Sequence, residues 1–246
     1  MTDGSMHVIA HRGAKHACPE NTFAAFDRAL REQADGIELD LRLTRDGVPV
    51  VFHDHTLRKL GQPKQRLSEL TLSQLRRLDF GSWFDPAFAG ESIPTLAEVL
   101  ERYGNRTELS LELKTARDPE RNVELLRQLL GVLRESKCDE KALILAFESR
   151  LLEAAYALSP GLRYVLNAFA GESALRDAAR MPWLHGIDVD IRWLTPDAGK
   201  RLRAQAPMLM SYTCNTEDHL RAAQAAGAQA VITNRPAWVK DHLRRS

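Results

Sequence analysis

The sequence has no long hydrophobic run. Its apolar stretches fall well short of the roughly 18 residues that a membrane-spanning helix requires. The N-terminal residues are polar, and the apolar segment at residues 6–10 is too short for a signal peptide and follows no basic residues. We therefore predict a cytoplasmic protein that does not insert stably into a membrane.

Cysteine is scarce, and neither charge sign is in excess. The three cysteines, at positions 18, 138 and 214, form no Cys-x-x-Cys pair, which argues against a structural zinc site or a disulfide framework. Lysine and arginine number 34 against 33 acidic residues, so nothing predicts a nucleic-acid-binding surface. What the 246 residues do contain is 44% hydrophobic side chains, enough for one large core.

Short β-branched segments alternate with helical patterns along most of the chain. Helices are predicted at residues 22–33, 120–135, 195–206 and 217–226 from apolar spacing and end signals. Alternating strands and helices indicate a parallel sheet. Candidate strands are residues 7–10, 36–43, 48–52, 109–113, 143–147, 163–166, 186–190, 207–212 and 230–233.

If residues 48–52 form an extra strand, eight strand–helix units remain. Eight units in about 250 residues predict an α/β fold of the (β/α)8 barrel (TIM barrel) type. An open doubly wound sheet is the alternative, and its dinucleotide-binding form lacks the expected Gly-x-Gly-x-x-Gly after the first strand. We predict one domain over residues 1–246, with a small insertion at about residues 55–94 after the second βα-type unit, containing a helix at 68–78.

Two carboxylates lie on one face of the predicted strand 36–43. Glu38 and Asp40 alternate with isoleucine and leucine, so they share a face. Barrel strands are normally apolar on both faces, and carboxylates that point inward must be paired or bind a cation. An antiparallel hairpin with one wet face is the alternative, because residues 44–47 resemble a turn between two strands.

The same pattern returns at residues 109–114, where Ser110, Glu112 and Lys114 share a face. Helical segments flank this strand, so a wet hairpin fits it less well. Three carboxylates at strand ends, Glu38, Asp40 and Glu112, would form an oxygen-rich site suited to Mg²⁺ or Ca²⁺.

Two histidines follow predicted strands directly. His11 comes after the first strand and His53 after residues 48–52, which places both at the active rim of a barrel. A pair of imidazoles can share general acid and general base roles near neutral pH. Arg12 and Lys114 add positive charge suited to phosphate oxygens. Structural pairing of Arg12 with Glu20, and of Lys114 with a carboxylate, is a compatible alternative.

The ordered set of motifs resembles the glycerophosphodiester phosphodiesterase family over nearly the whole chain. Each motif is short, but together and in this order they are specific. They are His11-Arg12-Gly13, Pro19-Glu20-Asn21-Thr22, Glu38-Leu39-Asp40, His53-Asp54, Ile93-Pro94-Thr95-Leu96-Ala97-Glu98-Val99-Leu100, Leu111-Glu112-Leu113-Lys114 and Ile232-Thr233-Asn234-Arg235-Pro236.

The resemblance implies a TIM barrel that splits a glycerophosphodiester, a small-molecule substrate, into sn-glycerol 3-phosphate and an alcohol. It also implies roles for ten residues. These are His11 and His53 as the acid–base pair, Glu38, Asp40 and Glu112 as ligands of a divalent metal ion, and Arg12, Lys114, Glu20, Phe147 and Tyr212 as substrate-binding residues.

The chain departs from the family pattern at several positions. Tyr212 begins a segment that usually reads Trp-Thr-Val-Asn, Asn234 replaces an aspartate, and Phe147 follows alanine instead of serine. These departures leave the metal and histidine positions intact. We therefore expect them to affect the alcohol pocket and the preferred head group.

Three other functions fit parts of the pattern. A related barrel phospholipase acting on lysophospholipids or other phospholipids would need an apolar surface, which Trp83, Phe84 and Phe88 could supply, although we expect these rings to pack the insertion onto the barrel. A non-catalytic barrel that binds phosphate ligands would not need the histidines. A sugar hydrolase using Glu38 and Glu112 would also leave them without a role.

Overall fold

A computed structural model describes residues 6–245; residues 1–5, which include most of the polar N-terminal segment, and residue 246 lie outside it. The strands are β1 (His7–His11), β2 (Gly36–Leu43), β3 (Pro49–Val51), β4 (Thr56–Leu57), β5 (Gln62–Arg66), β6 (Glu108–Leu113), β7 (Ala142–Ala146), β8 (Arg163–Ala168), β9 (Gly186–Asp190), β10 (Met208–Tyr212) and β11 (Ala230–Thr233). The helices are α1 (Phe23–Arg31), α2 (Leu72–Leu75), α3 (Leu96–Tyr103), α4 (Pro119–Ser136), α5 (Ser149–Leu158), α6 (Gly171–Ala178), α7 (Pro196–Arg203), α8 (Glu217–Ala225) and α9 (Pro236–Leu243).

Eight parallel strands close into a barrel with helices between them. The order is β1, β2, β6, β7, β8, β9, β10 and β11, and β1 pairs with both β2 and β11. This confirms the predicted fold, and each of the nine candidate strands is present to within two residues at its ends. Among residues 6–245, no helix has both the length and the apolar character needed to cross a membrane.

Side-chain alternation along the strands divides the core into two parts. Outward-facing residues such as Leu39, Leu111 and Ile187 pack with the helices in one large cluster. Inward-facing residues fill the barrel itself with a smaller cluster. Its members are Ile9, Leu143, Leu145, Val165, Met208, Met210, Ala230 and Ile232.

Threonine caps begin several of the helices. Thr22, which precedes α1, accepts a hydrogen bond from the backbone N of Ala25, and Thr195 and Thr216 play the same part before α7 and α8. These caps lie in the loops that follow the strands, so they fix how the chain leaves the rim of the barrel.

The hairpin alternative for β2 is realised together with the barrel. β3 pairs antiparallel with the last residues of β2, from Leu41 to Leu43, while the rest of β2 pairs parallel with β1 and β6. The face that carries Glu38 and Asp40 is nevertheless buried, because it points into the barrel. The segment therefore combines a barrel strand with an antiparallel hairpin, and each interpretation of it is partly correct.

The insertion at residues 55–94 lies between β3 and α3. It contains the antiparallel pair β4–β5, the short helix α2 and single turns of 3₁₀ helix, so the continuous helix expected at 68–78 is wrong. Phe52 and Phe80 meet edge to face, with ring centroids 5.7 Å apart, in a small separate core.

The exposed aromatic residues of the insertion differ from the expectation. Trp83 and Phe84 each keep 36% of their surface exposed, and their rings contact each other at 5.8 Å. Phe84 also meets Phe88 at 5.7 Å. Trp83 and Phe84 are thus only partly buried, whereas the Phe52–Phe80 pair is buried.

Candidate active site

The predicted site residues meet at one end of the barrel, where the strands end at their carboxyl termini. A cavity of about 280 Å³ opens there. This end of a barrel is where the loops after the strands build active sites. The predicted residues that line the cavity are His11, Arg12, Glu38, His53, Glu112, Lys114, Phe147 and Tyr212.

The three predicted metal ligands form one cluster. Oxygen atoms of Glu38, Asp40 and Glu112 all lie within 4.8 Å of one another, and the three side chains are buried. The strand register explains this proximity, because Asp40 on β2 lies opposite Glu112 on β6. Glu38 is two residues earlier on β2 and points to the same side.

The three carboxyl groups differ in the direction in which their pKa values are shifted. Burial raises the pKa of Glu38 well above its usual value, and Asp40 and Glu112 add to the effect. Burial and Asp40 also raise the pKa of Glu112 to about 7. Burial acts on Asp40 in the same direction, but Arg12 and Lys114 outweigh it and hold the pKa of Asp40 well below its usual range.

The cluster fits a divalent cation. Oε2 of Glu38 accepts a hydrogen bond from the backbone N of Arg12 at 3.0 Å, whereas Oε1 is buried and has no hydrogen-bond partner among residues 6–245. A buried carboxylate oxygen without a partner is costly, and a cation would supply the missing interaction. The ligand set contains only oxygen, which suits Mg²⁺ or Ca²⁺.

Arg12 and Lys114 lie against the carboxylates on either side. Nε of Arg12 is 3.1 Å from Oδ2 of Asp40, and Nζ of Lys114 is 3.1 Å from Oδ1 of the same residue and 2.5 Å from Oε1 of Glu112. Arg12 has φ of 56°, a left-handed conformation that is uncommon outside glycine. The turn directs both its backbone N and its side chain toward the cluster.

Glu20 supports Arg12 from outside the cavity lining. It binds Nη1 of Arg12 at 2.9 Å and Nζ of Lys59 at 2.5 Å, with Lys15 at 3.6 Å. Although burial opposes it, this positive surrounding lowers the pKa of Glu20 to about 2. The structural pairing considered for Arg12 and Lys114 is therefore present.

His11 has a neutral hydrogen-bond partner. Its Nδ1 lies 2.7 Å from Oδ1 of Asn234, which can only accept, so Nδ1 carries the hydrogen and Nε2 keeps a free lone pair. Burial, with Arg12 and Lys15 nearby, lowers the pKa of His11 to about 3. The ring is thus neutral, with Nε2 as its unprotonated nitrogen. Asn234 thus contacts a histidine directly, and its departure from the family pattern also bears on His11.

His53 has a charged partner instead. Nδ1 of His53 donates to Oδ1 of Asp54 at 2.6 Å, and its backbone oxygen accepts a bond from Nε of Arg42 at 2.7 Å. The backbone N of the preceding residue, Phe52, donates to the backbone oxygen of Asp40 at 2.9 Å. His53 is therefore held beside the strand that carries two of the carboxylates.

Aromatic rings form one wall of the cavity. Phe147 stacks on Phe169 at 4.5 Å and meets Tyr212 edge to face at 5.9 Å. The hydroxyl of Tyr212 donates to the oxygen of Ala168 at 3.0 Å, which fixes the ring. Nζ of Lys114 lies 5.9 Å from the Phe147 ring centre. The wall offers an apolar surface next to the charged groups.

Two buried polar residues that the sequence analysis did not single out also line the cavity. Asn167 on β8 and Asp188 on β9 are opposite each other in register, and they are only 4% and 1% exposed. Oδ1 of each is buried without a hydrogen-bond partner within residues 6–245. The segment Gly-Ile-Asp-Val-Asp at 186–190 shows the same alternation as β2, so a signal for Asp188 was present.

A (β/α)8 barrel with a cluster of buried acids, cations and imidazoles at its carboxyl-terminal rim has the architecture of an enzyme. The model of the glycerophosphoryl diester phosphodiesterase family matches residues 11–238. The chain belongs to this family, and it is an enzyme that hydrolyses phosphodiesters.

Individual relatives agree with the family match. The glycerophosphodiester phosphodiesterase of Caldanaerobacter subterraneus subsp. tengcongensis is 32% identical over 244 residues, which cover 97% of this chain and 98% of that protein. The Bacillus subtilis enzyme of the same name is 30% identical over 247 residues, covering 93% and 83%. Among solved structures, an Oleispira antarctica phosphodiesterase in complex with the product sn-glycerol-3-phosphate has a TM-score of 0.89 at 28% identity and covers 98% of both chains.

Proposed function

We propose that this chain hydrolyses glycerophosphodiesters to sn-glycerol 3-phosphate and an alcohol, with His11 and His53 as the acid–base pair. The observation that carries the proposal is the difference between the two imidazoles that line one cavity. His11 has a neutral amide on Nδ1, whereas His53 has a carboxylate on Nδ1. We assign the first base to His11 and the first acid to His53.

Glu38, Asp40 and Glu112 would hold a divalent cation, Mg²⁺ or Ca²⁺. A bound cation of this kind supplies positive charge that polarises a phosphoryl oxygen. Arg12 and Lys114 would bind the remaining phosphate oxygens, and both already lie within 3.1 Å of Asp40 at the cavity wall. Glu20 then acts as a positioning residue, because it fixes the guanidinium of Arg12.

The first step that we propose uses the 2-hydroxyl of the glycerol moiety as the nucleophile. Its oxygen bonds to phosphorus while its proton passes to Nε2 of His11. The bond from phosphorus to the leaving alcohol breaks, and His53 gives that oxygen a proton. A hydroxyl on the same molecule is already near its target, which saves several kcal/mol of orientational cost. The product is a five-membered cyclic phosphate.

Water opens the cyclic phosphate in the second step, with the roles exchanged. His53, now neutral, takes a proton from water as the water oxygen bonds to phosphorus. His11, now protonated, returns its proton to the 2-oxygen as the ring bond breaks. The products are sn-glycerol 3-phosphate and a protein in its starting state, so atoms and protons balance.

Phe147 and Tyr212 would contact the carbon atoms of the substrate. Their rings form the apolar wall beside Lys114, within the same cavity as the two histidines. Contact with an aromatic face excludes water from the phosphate while leaving the polar groups free to bind oxygen atoms.

The test is a panel of glycerophosphodiesters assayed for release of glycerol 3-phosphate, with and without a chelator. We expect turnover that stops on exhaustive chelation and returns with Mg²⁺ or Ca²⁺. Unchanged turnover in chelator would remove the metal assignment, and no turnover of any glycerophosphodiester would remove the proposed reaction. A lysophospholipid belongs in the panel, because Phe169 at the cavity is 64% exposed and Trp83 and Phe84 are partly exposed.

A further inference from the structure

A second cavity, rich in arginine, lies beside the candidate active site. It has a volume of about 250 Å³, and Arg42, Arg66, Arg117 and Arg121 line it. An intermediate cavity of about 380 Å³ shares Arg42 and His55 with it. Lys114 lines all three cavities. A substrate could therefore extend from the carboxylate cluster to the arginine cavity.

Backbone oxygen atoms hold two of the four guanidinium groups in place. Nε of Arg42 donates to the oxygen of His53 at 2.7 Å. Nη2 of Arg121 donates to the oxygen of Leu43 at 3.3 Å and also to that of Thr44. Both groups are thus oriented by the β2–β3 hairpin before any ligand binds, and Arg66 and Arg117 project from exposed positions at the cavity edge.

None of the four arginines forms an ion pair with a carboxylate within the described part of the chain, residues 6–245. Other arginines of the protein do so, for example Arg192 with Asp190 at 2.5 Å. One acidic residue, Asp118, does line the cavity, but its Oδ1 caps α4 by accepting from the backbone N of Glu120 at 3.0 Å. The cavity therefore has an excess of positive charge.

The positive charge of the cluster acts on a neighbouring histidine. Arg42, with burial and with Arg66 and Arg117, lowers the pKa of His55, which lines the same cavity. Guanidinium groups bind phosphate and carboxylate oxygens through a planar pair of N–H donors. A cavity with four such groups and one acidic residue in its lining is suited to a multiply charged oxyanion.

We propose that the arginine cavity binds a second anionic group, a phosphate carried by the alcohol part of the substrate, while the scissile phosphodiester lies at the carboxylate cluster. The inference rests on the proposed function for the position of the diester. It adds that this enzyme prefers glycerophosphodiesters whose alcohol is itself phosphorylated over those whose alcohol is neutral.

Two matched ligands test the proposal. One is glycerophosphoglycerol. The other is the same compound with a phosphate on the terminal hydroxyl of the glycerol that leaves as the alcohol. Binding of both is measured by calorimetry in chelator and again with Ca²⁺, and kcat/KM is measured with metal present. We expect the phosphorylated compound to bind, and to be cleaved, at least about tenfold better, which corresponds to about one charge-assisted contact.

The informative variant is the double substitution Arg66→Gln and Arg117→Gln, because both side chains are exposed and neither supports the fold through an ion pair within residues 6–245. The control is Arg127→Gln with Arg180→Gln, which removes the same charge elsewhere on the surface. We expect the first variant to lose most of the preference for the phosphorylated compound and the control to keep it.

Several outcomes would overturn the inference. These are equal affinity of the wild-type protein for both compounds, equal weakening of both by the Arg66/Arg117 variant, the same loss in the control, or no binding of the phosphorylated compound at millimolar concentration with or without Ca²⁺. The binding measurements need no turnover. A charge preference without hydrolysis would therefore refute the proposed reaction and keep the arginine site, and hydrolysis without the preference would do the reverse.

Discussion

Replacement of Asn234 by aspartate should change the proton affinity of His11. The Asn234 side chain accepts from Nδ1 of His11 at 2.7 Å, and aspartate has the same shape with a full negative charge. The negative charge stabilises the protonated ring, so we expect Asn234→Asp to raise the pKa of His11 from its depressed value of about 3.

The size of the change follows from two estimates. A charge-assisted hydrogen bond is worth about 1–2 kcal/mol more than a neutral one, which corresponds to about one pKa unit. Coulomb's law with an effective dielectric constant of about 20 gives roughly 4 kcal/mol at about 4 Å, or roughly three units, as an upper bound. We therefore expect a rise of about one to three units.

The assay is the pH dependence of kcat/KM for a glycerophosphodiester. His11 must be unprotonated to act as the first base, so a higher pKa moves the acidic limb of the profile to higher pH. We expect the fold and the metal requirement to survive, because the recorded side-chain contact of Asn234 is with His11 and not with Glu38, Asp40 or Glu112.

Asn215→Asp is the matched control. Oδ1 of Asn215 accepts from the backbone N of Asn234 at 2.9 Å. This variant therefore adds the same charge at a residue that contacts Asn234 instead of at Asn234 itself. A movement of the acidic limb by less than about 0.3 unit in Asn234→Asp would refute the reasoning. An equal movement in both variants would show a general field effect and not the hydrogen bond.

Three further predictions concern the same cavity. His11→Ala and His53→Ala should each lower kcat by about 100-fold or more with an unchanged melting temperature, and near-normal turnover would remove that residue from the mechanism. A substrate without the 2-hydroxyl should bind but not be cleaved, whereas cleavage at a comparable rate would establish direct attack by water. Asp188→Asn should make the free energy of unfolding of the metal-free protein less dependent on pH. Burial, with Glu112 and Asp190, raises the pKa of Asp188 in the folded protein. Above about pH 4 the unfolded chain therefore loses this proton while the folded protein keeps it, so the stability of the wild-type protein falls as pH rises. Urea unfolding at pH 5 and pH 8 measures the free energy of unfolding. An equal change between these two pH values in both proteins would contradict the prediction.

The sequence predicted the barrel and the carboxylate cluster because both depend on local alternation. Glu38, Asp40 and Glu112 interrupt apolar strands with a period of two, and the strand register alone brings them together. The extra strand β3 was also predictable, since a turn at residues 44–47 separates it from β2. The resemblance to a family added the expectation that His11 and His53 are the acid–base pair.

Contacts between distant segments were beyond the sequence. His11 and Asn234 are 223 positions apart, and the choice of an amide instead of a carboxylate partner depends on how the last strand closes the barrel. The arginine cavity likewise draws on β2, β5 and the start of α4. The partial exposure of Trp83 could not be predicted either, because it depends on which aromatic residues of the insertion are buried in its small core.

The insertion begins and ends at the same place on the barrel. The backbone N of Val51 donates to the oxygen of Pro94 at 2.8 Å, and Val50 forms an antiparallel bridge with Thr95. Both ends of residues 55–94 are thus fastened to β3, and the Phe52–Asp40 backbone bond lies on the barrel side of the fastening. Another sequence grafted between the two fastened ends would therefore keep its connection to the rim, provided that it retained Lys59, which binds Glu20, and Arg66, which lines the arginine cavity.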